Sequence, residues 1–162
     1  MSMTQILDCQ QRLADLLNAD PFFNDPDPAK RIVAITQRKA DLASEIAQAL
    51  TKIGAGVIVT LPRITWNGEA ERISLQLHFS IVVTENPSIN RAPGHSGKAA
   101  EEIIANVMRV VHWKPNSAGS NPRVQANLFK LDSDVADLFE PPPAMPTMQI
   151  NYRIRVSTNV NL

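Results

Sequence analysis

The chain is poor in most of the residues that build simple chemistry. One cysteine, Cys9, cannot make an intrachain disulfide or supply a structural zinc site. Sixteen Lys and Arg against sixteen Asp and Glu leave no net charge, which argues against a protein built mainly to grip bare phosphate backbones. Apolar runs such as Ile81–Val83 and Val110–Val111 fall far short of the ~20 residues a membrane span needs. No basic-then-apolar leader opens the chain, so the expectation is a soluble protein that does not use a signal peptide. What remains is 162 residues, 44% of them hydrophobic, enough for one domain with a real core.

Proline is the abundant punctuation, with twelve residues, and its positions cut the chain into elements. Ile6, Leu13, Leu16 and Leu17 recur at helical spacing, predicting a helix from Thr4 to Ala19 that stops at Asp20-Pro21. A Pro and Asp rich loop, 21–28, leads to Ile32–Ile35, read either as a brief strand or as the lead-in to a second helix over Arg38–Ile53. Gly54 suits the end of that helix. Val57–Trp66 is β-branched and meets Asn67-Gly68, the dipeptide most at ease in a tight hairpin turn. In the returning arm Ile73, Leu75, Leu77, Phe79, Ile81 and Val83 alternate with mainly polar residues, the pattern of a sheet buried on one face. After a loop over Glu85–Gly97, a third helix is expected from Lys98 to His112, with Ser96 as N-cap and Glu101 and Glu102 near the positive end of its dipole. Arg123–Leu131 reads as a strand, Asp132–Pro146 as a stiff extended connection, and Met148–Thr158 as the last strand. The prediction is one α+β domain over 1–162, a mainly antiparallel sheet with helices on one face, and a proline-rich connection at 140–146.

Few residues suggest catalysis. Gly94-His95-Ser96-Gly97-Lys98-Ala99 before a helix resembles a phosphate loop, but such a loop needs Gly where Ala92 stands and Ser or Thr where Ala99 stands. His78, His95 and His112 fall on a strand, a loop and a helix end, without metal-ligand spacing. Their simplest roles are a polar sheet face, a loop and a helix C-terminal cap. No nucleophile elbow surrounds any serine, Cys9 suits a small buried hydrophobe, and the acid pairs Glu101-Glu102 and Asp132 with Asp134 read as solvated charge. Arg153 and Arg155 share a strand face with Gln149 and Asn151 and give it a partly basic character. That face lacks the aromatic platform of single-strand binders.

One stretch carries a resemblance. Thr84-Glu85-Asn86-Pro87-Ser88-Ile89-Asn90-Arg91, then Gly97-Lys98-Ala99-Ala100-Glu101, then Val111-His112-Trp113, is similar to the tail terminator (tail completion) family of long-tailed bacteriophages and prophages. The local match covers about thirty residues. It implies a non-enzymatic virion protein: a homo-hexameric ring that caps the tail tube and joins it to the neck or head connector, needs no cofactor or metal, touches no membrane, and meets nucleic acid only as DNA passing through its lumen. Localisation would be the virion tail or neck, and the host cytoplasm during assembly. By carry-over, subunit or tube contacts would fall at Asn86, Pro87, Ile89, Asn90, Arg91, His95, Lys98 and Trp113, with Arg153 and Arg155 on the sheet face. The alternatives are another neck or head-completion protein and, from a different class, a small-molecule or nucleotide-binding α+β protein using the 91–98 loop.

The zero net charge also hides a pattern. Residues 1–27 hold five acids and one base, 28–131 seven acids and thirteen bases, 132–140 four acids, and 141–162 two bases. Such segregation suggests that unlike surfaces of neighbouring copies attract.

Overall fold

A computed structural model describes residues 4–69, 72–95, 97–117, 128–138 and 150–161. Helix α1 runs over Thr4–Ala19, strand β1 over Ala34–Thr36, helix α2 over Leu42–Lys52, and strands β2, β3 and β4 over Ala55–Val59, Arg63–Glu69 and Arg72–Glu85. A single-turn helix, α3 (Pro87–Asn90), precedes α4 (Ala100–Val111), and strands β5 (Lys130–Leu138) and β6 (Ile150–Asn161) complete the described elements. The fold is α+β, with helices packed against a mostly antiparallel open sheet of order β1-β2-β4-β6-β5, to which β3 adds on β4.

The fourteen-residue strand β4 organises everything else. On one edge it pairs first with β3 and then with β2, end to end, and on the other it pairs with β6 from Ser74↔Asn161 to Glu85↔Ile150. Leu77, Phe79, Ile81 and Val83 are buried on its apolar face. Their cross-strand neighbours Val57, Val59, Ile154 and Val156 are buried beside them, since directly opposed residues share a face. Leu13 and Leu17 of α1 and Ile103, Val107 and Val111 of α4 close the core from above. Each such side chain contributes about 1.5–3 kcal/mol by leaving water. Helix α2 joins the parallel pair β1 and β2 and lies against the other sheet face: a Cβ on Gly56, which sits opposite Thr84, would meet Ile46 at 3.2 Å and Ala49 at 3.8 Å.

Several expectations shift. Val57–Trp66 is two strands, because Thr60–Pro62 inserts one extra residue: β2 pairs Val59 with Ile81, whereas β3 pairs Arg63 with His78. Without that bulge Ile64 and Trp66, even-numbered, would face away from Val57 and Val59; with it they share the apolar face. Thr60 anchors the break, its N–H and hydroxyl both donating to the Ser80 carbonyl at 2.9 and 2.8 Å. The hairpin does not turn at Asn67-Gly68. Those residues pair with Ser74 and Ile73, and the ladder runs on to Glu69↔Arg72. Keeping Ile64 opposite Leu77 and Trp66 opposite Leu75 outweighs the turn preference of Asn-Gly.

Asp132–Leu138, expected as connection, belongs to β5, whose register on β6 breaks between Leu131 and Ala136. An edge strand tolerates such charge because its outer edge meets water. The strand expected over Arg123–Leu131 is described only from Leu128 onward, and there Pro115 and Leu128 form an isolated bridge. Ser96, expected as the α4 N-cap, and the prolines at 140–146 lie outside the described residues; the N-cap position is Ala99, whose side chain makes no capping bond. Among the described residues no helix is long and apolar enough to cross a membrane.

Candidate functional site

The resemblance-bearing segment folds into a closed knot where β4 ends. Asn86 caps α3, its Oδ1 accepting from the Ser88 N–H at 3.2 Å, with Pro87 pre-set for the first turn. That turn aims Asn90 inward at Glu85, whose side chain is fully buried. Glu85 Oε1 accepts from Asn90 Nδ2 at 3.0 Å and from Arg91 Nε at 3.3 Å, and its Oε2 accepts from the Ala100 N–H at 2.7 Å. A side-chain carboxylate from the neighbouring strand therefore does the capping that Ser96 was expected to do, at the positive end of the α4 dipole.

Asn90 holds the knot shut. Its Nδ2 also donates to the Lys98 carbonyl at 2.7 Å, and its N–H bonds the Asn86 carbonyl at 2.9 Å. Two glycines make room for it. Gly54, at φ +84, passes so close that a Cβ would lie 2.7 Å from the Asn90 backbone nitrogen, and a Cβ on Gly97 would lie 1.6 Å from Asn90 Oδ1. Among the described residues that oxygen has no hydrogen-bond partner, and the Gly97 Cα–H side is its neighbour instead. The loop is tied further by His95, whose Nε2 is 3.0 Å from the Ile53 carbonyl. Lys98 turns away from solvent: its Nζ lies 3.0 Å from Asp25 Oδ2 and 4.3 Å from the Phe22 ring centroid, and donates to the Phe22 carbonyl. The Asp27 N–H and then Lys98 hold the Asp25 carboxyl below its ordinary value.

The ten sequence-predicted site residues thus separate. Asn86, Pro87 and Ile89 are half-buried on the knot and Arg91 is exposed, whereas Asn90 is buried and Lys98 is spent within the subunit. Trp113 stands apart, beyond α4, at φ +62, 46% exposed and with Lys130 Nζ 5.6 Å from its ring centroid. Its N–H donates to the Phe129 carbonyl at 2.8 Å. His112 occupies the predicted C-cap position, but its Nδ1 accepts from the Leu131 N–H at 3.4 Å, tying helix to strand. Arg153 and Arg155 lie on the other sheet face and converge on Asp137, at 2.9 and 3.0 Å. Arg153 first, then Arg155, holds the Asp137 carboxyl below its ordinary value. On that face His78 Nε2 sits 3.0 Å from Thr65 Oγ1.

The Glu85 carboxylate already takes the N–H group at which a bound phosphate would sit. Cys9 is buried, and burial followed by Asp8 pushes its thiol up to about 12, which leaves it inert at neutral pH. Among the described residues no group of three or more His, Cys, Asp or Glu is placed to hold a metal.

A different surface escaped the sequence reading. Leu61, Ile64 and Trp66 are 44, 47 and 69% exposed, and Ile64 and Trp66 project from the apolar face of β3. The signal was available in the alternation of Ile64 and Trp66, which reads as core; only the structure shows both side chains left open to solvent. Compared with known proteins, the chain matches no family model and no curated sequence.

Proposed function

We propose that this protein is a structural assembly component of a phage-type tail, a tail terminator that closes the tail tube as a homo-hexameric ring and presents a surface to the neck or head connector. The observation that carries the reading is the pair of motifs Thr84–Arg91 and Gly97–Glu101, which resemble that family and in this chain meet in one knot around the Glu85 carboxylate. The exposed apolar arm of β3 supports it, since a chain with solvent-facing tryptophan and isoleucine on a sheet face is suited to association. An unlike pair of sheet ends, β1 and β5, suits the heterologous contact a ring requires. In this reading the protein has no catalytic role, its partners are its own copies, the tube and the neck, and DNA passes through the lumen.

Light scattering should give a mass about six times 17.8 kDa, in solution or on purified tail tubes. A protein that stays monomeric at high concentration and does not bind tubes would sink the proposal. Binding to filled capsids instead of tubes would favour another neck or head-completion protein. The nucleotide-binding alternative predicts thermal stabilisation by nucleotides beyond that given by plain salt, and the Glu85 carboxylate on the Ala100 N–H weighs against it.

A further inference from the structure

We propose that copies of this chain join head to tail by seating the Trp66 arm of one copy in the groove between β1 and α2 of the next. The inference rests on the self-assembling reading above and supplies its contact. The arm is the projecting element: among the described residues Trp66 is the most exposed of the large apolar side chains, and Ile64 beside it is half open. The groove has an apolar floor beside the exposed Lys39 and Lys52. It measures about 350 Å³, at the lower end of the range of sites that enclose organic groups, and room for an indole rather than for a second helix. Val33, 55% exposed, and Ile35 form one wall and Ala49 and Ile53 the other, with Lys52 and Arg31 at the rim.

The two surfaces are complementary in chemistry. Tryptophan offers the strongest π face for a cation, and beside the groove Lys52 is exposed, whereas Lys39 pairs with Glu45 and Arg31 Nε donates to the Asp25 carbonyl within the subunit. Beyond Trp66 strand β3 ends on Glu69, and the sequence places no base between Arg63 and Arg72.

A subunit cannot fill its own groove. Trp66 pairs with Leu75, whereas the groove is lined by Ala55, which pairs with Glu85, and by Ile35, whose partner Ile58 pairs with Val82 on the same long strand. At ~3.3 Å per residue that separation is roughly 23–33 Å. The arm lies on the apolar sheet face and the groove on the α2 side, so knob and hole sit at opposite ends and on opposite faces. A contact of that kind is heterologous, and it gives a closed ring when its rotation closes.

The test uses the full chain and two substitutions at solvent-facing positions, Trp66→Ser and Val33→Arg, with circular dichroism as a check that each folds. Sedimentation velocity should show the wild type assembled and each variant shifted to monomer, with contact weakened ~30-fold or more, as for a hot-spot residue. Mixed at high concentration, the two variants retain one good knob and one good hole, and should form a 1:1 heterodimer and nothing larger. Either variant keeping the wild-type mass, or a mixture that stays monomeric, overturns the proposal. If the assembled mass and tube binding survive both substitutions, the ring reading stands and this contact falls. A wild type that is monomeric and does not bind tubes removes both.

Discussion

Replacing Glu85 by alanine should cost far more stability than replacing its charged partner. In Glu85→Ala the Ala100 N–H, on a fully buried residue, loses its acceptor at 2.7 Å, and an orphaned buried donor costs about 1–3 kcal/mol. The α4 dipole loses its capping charge, about 1 kcal/mol more, and the removed atoms leave a void. Asn90 is partly protected, because its amide still reaches the Lys98 carbonyl. The sum is roughly 3–5 kcal/mol, a large share of the ~5–15 kcal/mol that holds a domain together. At ~2–4 °C per kcal/mol for a chain this size, melting should fall by about 6–20 °C. Arg91→Ala takes the cation from a fully buried carboxylate, but that carboxylate keeps its Asn90 and Ala100 donors and water can replace an arginine side chain that is 58% exposed, so the loss should be smaller, about 1–2 kcal/mol. Glu85→Gln keeps the volume but turns an amide NH2 toward a donor whichever way it points, and should fall between, at roughly 2–3 kcal/mol. Urea unfolding followed by circular dichroism at two protein concentrations separates subunit stability from assembly. Equal losses in Glu85→Ala and Arg91→Ala would refute the reasoning, because the carboxylate would then serve the ion pair and not the helix.

The two glycines of the knot make a paired prediction. Gly97→Ala should destabilise the protein severely because its Cβ would fall on Asn90 Oδ1, and Asn90→Ala in the same chain should recover part of that loss, a strongly non-additive pair. Gly54→Ala meets the Asn90 backbone at positive φ, so the same second substitution should give no rescue; stability measurements on the three single and two double variants and the wild type decide it. Arg109 chelates Asp20 through bonds of 3.1 and 2.8 Å and, as the largest cause, lowers its carboxyl. A depressed folded value means the stabilisation is present above the ordinary aspartate value of ~3.9 and is lost as pH falls through the lowered one. Arg109→Ala should therefore lower stability at neutral pH by the small amount expected for a pair whose arginine is exposed, and its profile should converge with the wild type once pH falls below the lowered value, which flattens the acid limb. An unchanged acid limb would show that Asp20 is held down by something else.

How much of this was readable depended on whether a side chain obeyed a period. Helix α1 has the limits its stripe predicts, and the alternations of β4 and β6 locate both faces of the sheet. The bulge at Thr60–Pro62 was hidden because a parity change between Val59 and Ile64 looks like continuous β-branched sequence until a partner strand supplies the register. β5 was missed because Asp132, Asp134 and Asp137 look like a solvated loop, although Asp137 is there to meet two arginines across the ladder. Glu85 is the sharpest case. It continues the odd-numbered apolar series Ile73 to Val83, so a charge in that register already signals a buried carboxylate needing donors, and the donors lie five, six and fifteen residues further on. Within the resemblance-bearing motif, spacing could not separate Asn90, which the knot consumes, from Arg91, which faces solvent.

The charge segregation of the sequence takes on a different meaning in this light. Asp20 and Asp25, from the acidic first segment, meet Arg109 and Lys98 from the basic middle, and Asp137, from the late acidic segment, meets Arg153 and Arg155 from the basic end. Each contact joins two blocks of opposite sign inside one subunit. Part of what looked like attraction between neighbouring copies is therefore internal wiring that ties the 20–25 loop to α4 and the acidic edge strand to β6. Charges already satisfied in this way add little to association, because a rival partner must first break the intramolecular pair. The surfaces left to recognise another copy are those whose needs the fold does not meet: an exposed indole at one end of the sheet and, at the other, an apolar groove where Val33 and Lys52 are exposed. Association driven by that contact should weaken only modestly with salt, since burial of the indole is not screened. A steep loss of assembly in moderate salt would return the main role to the charge blocks.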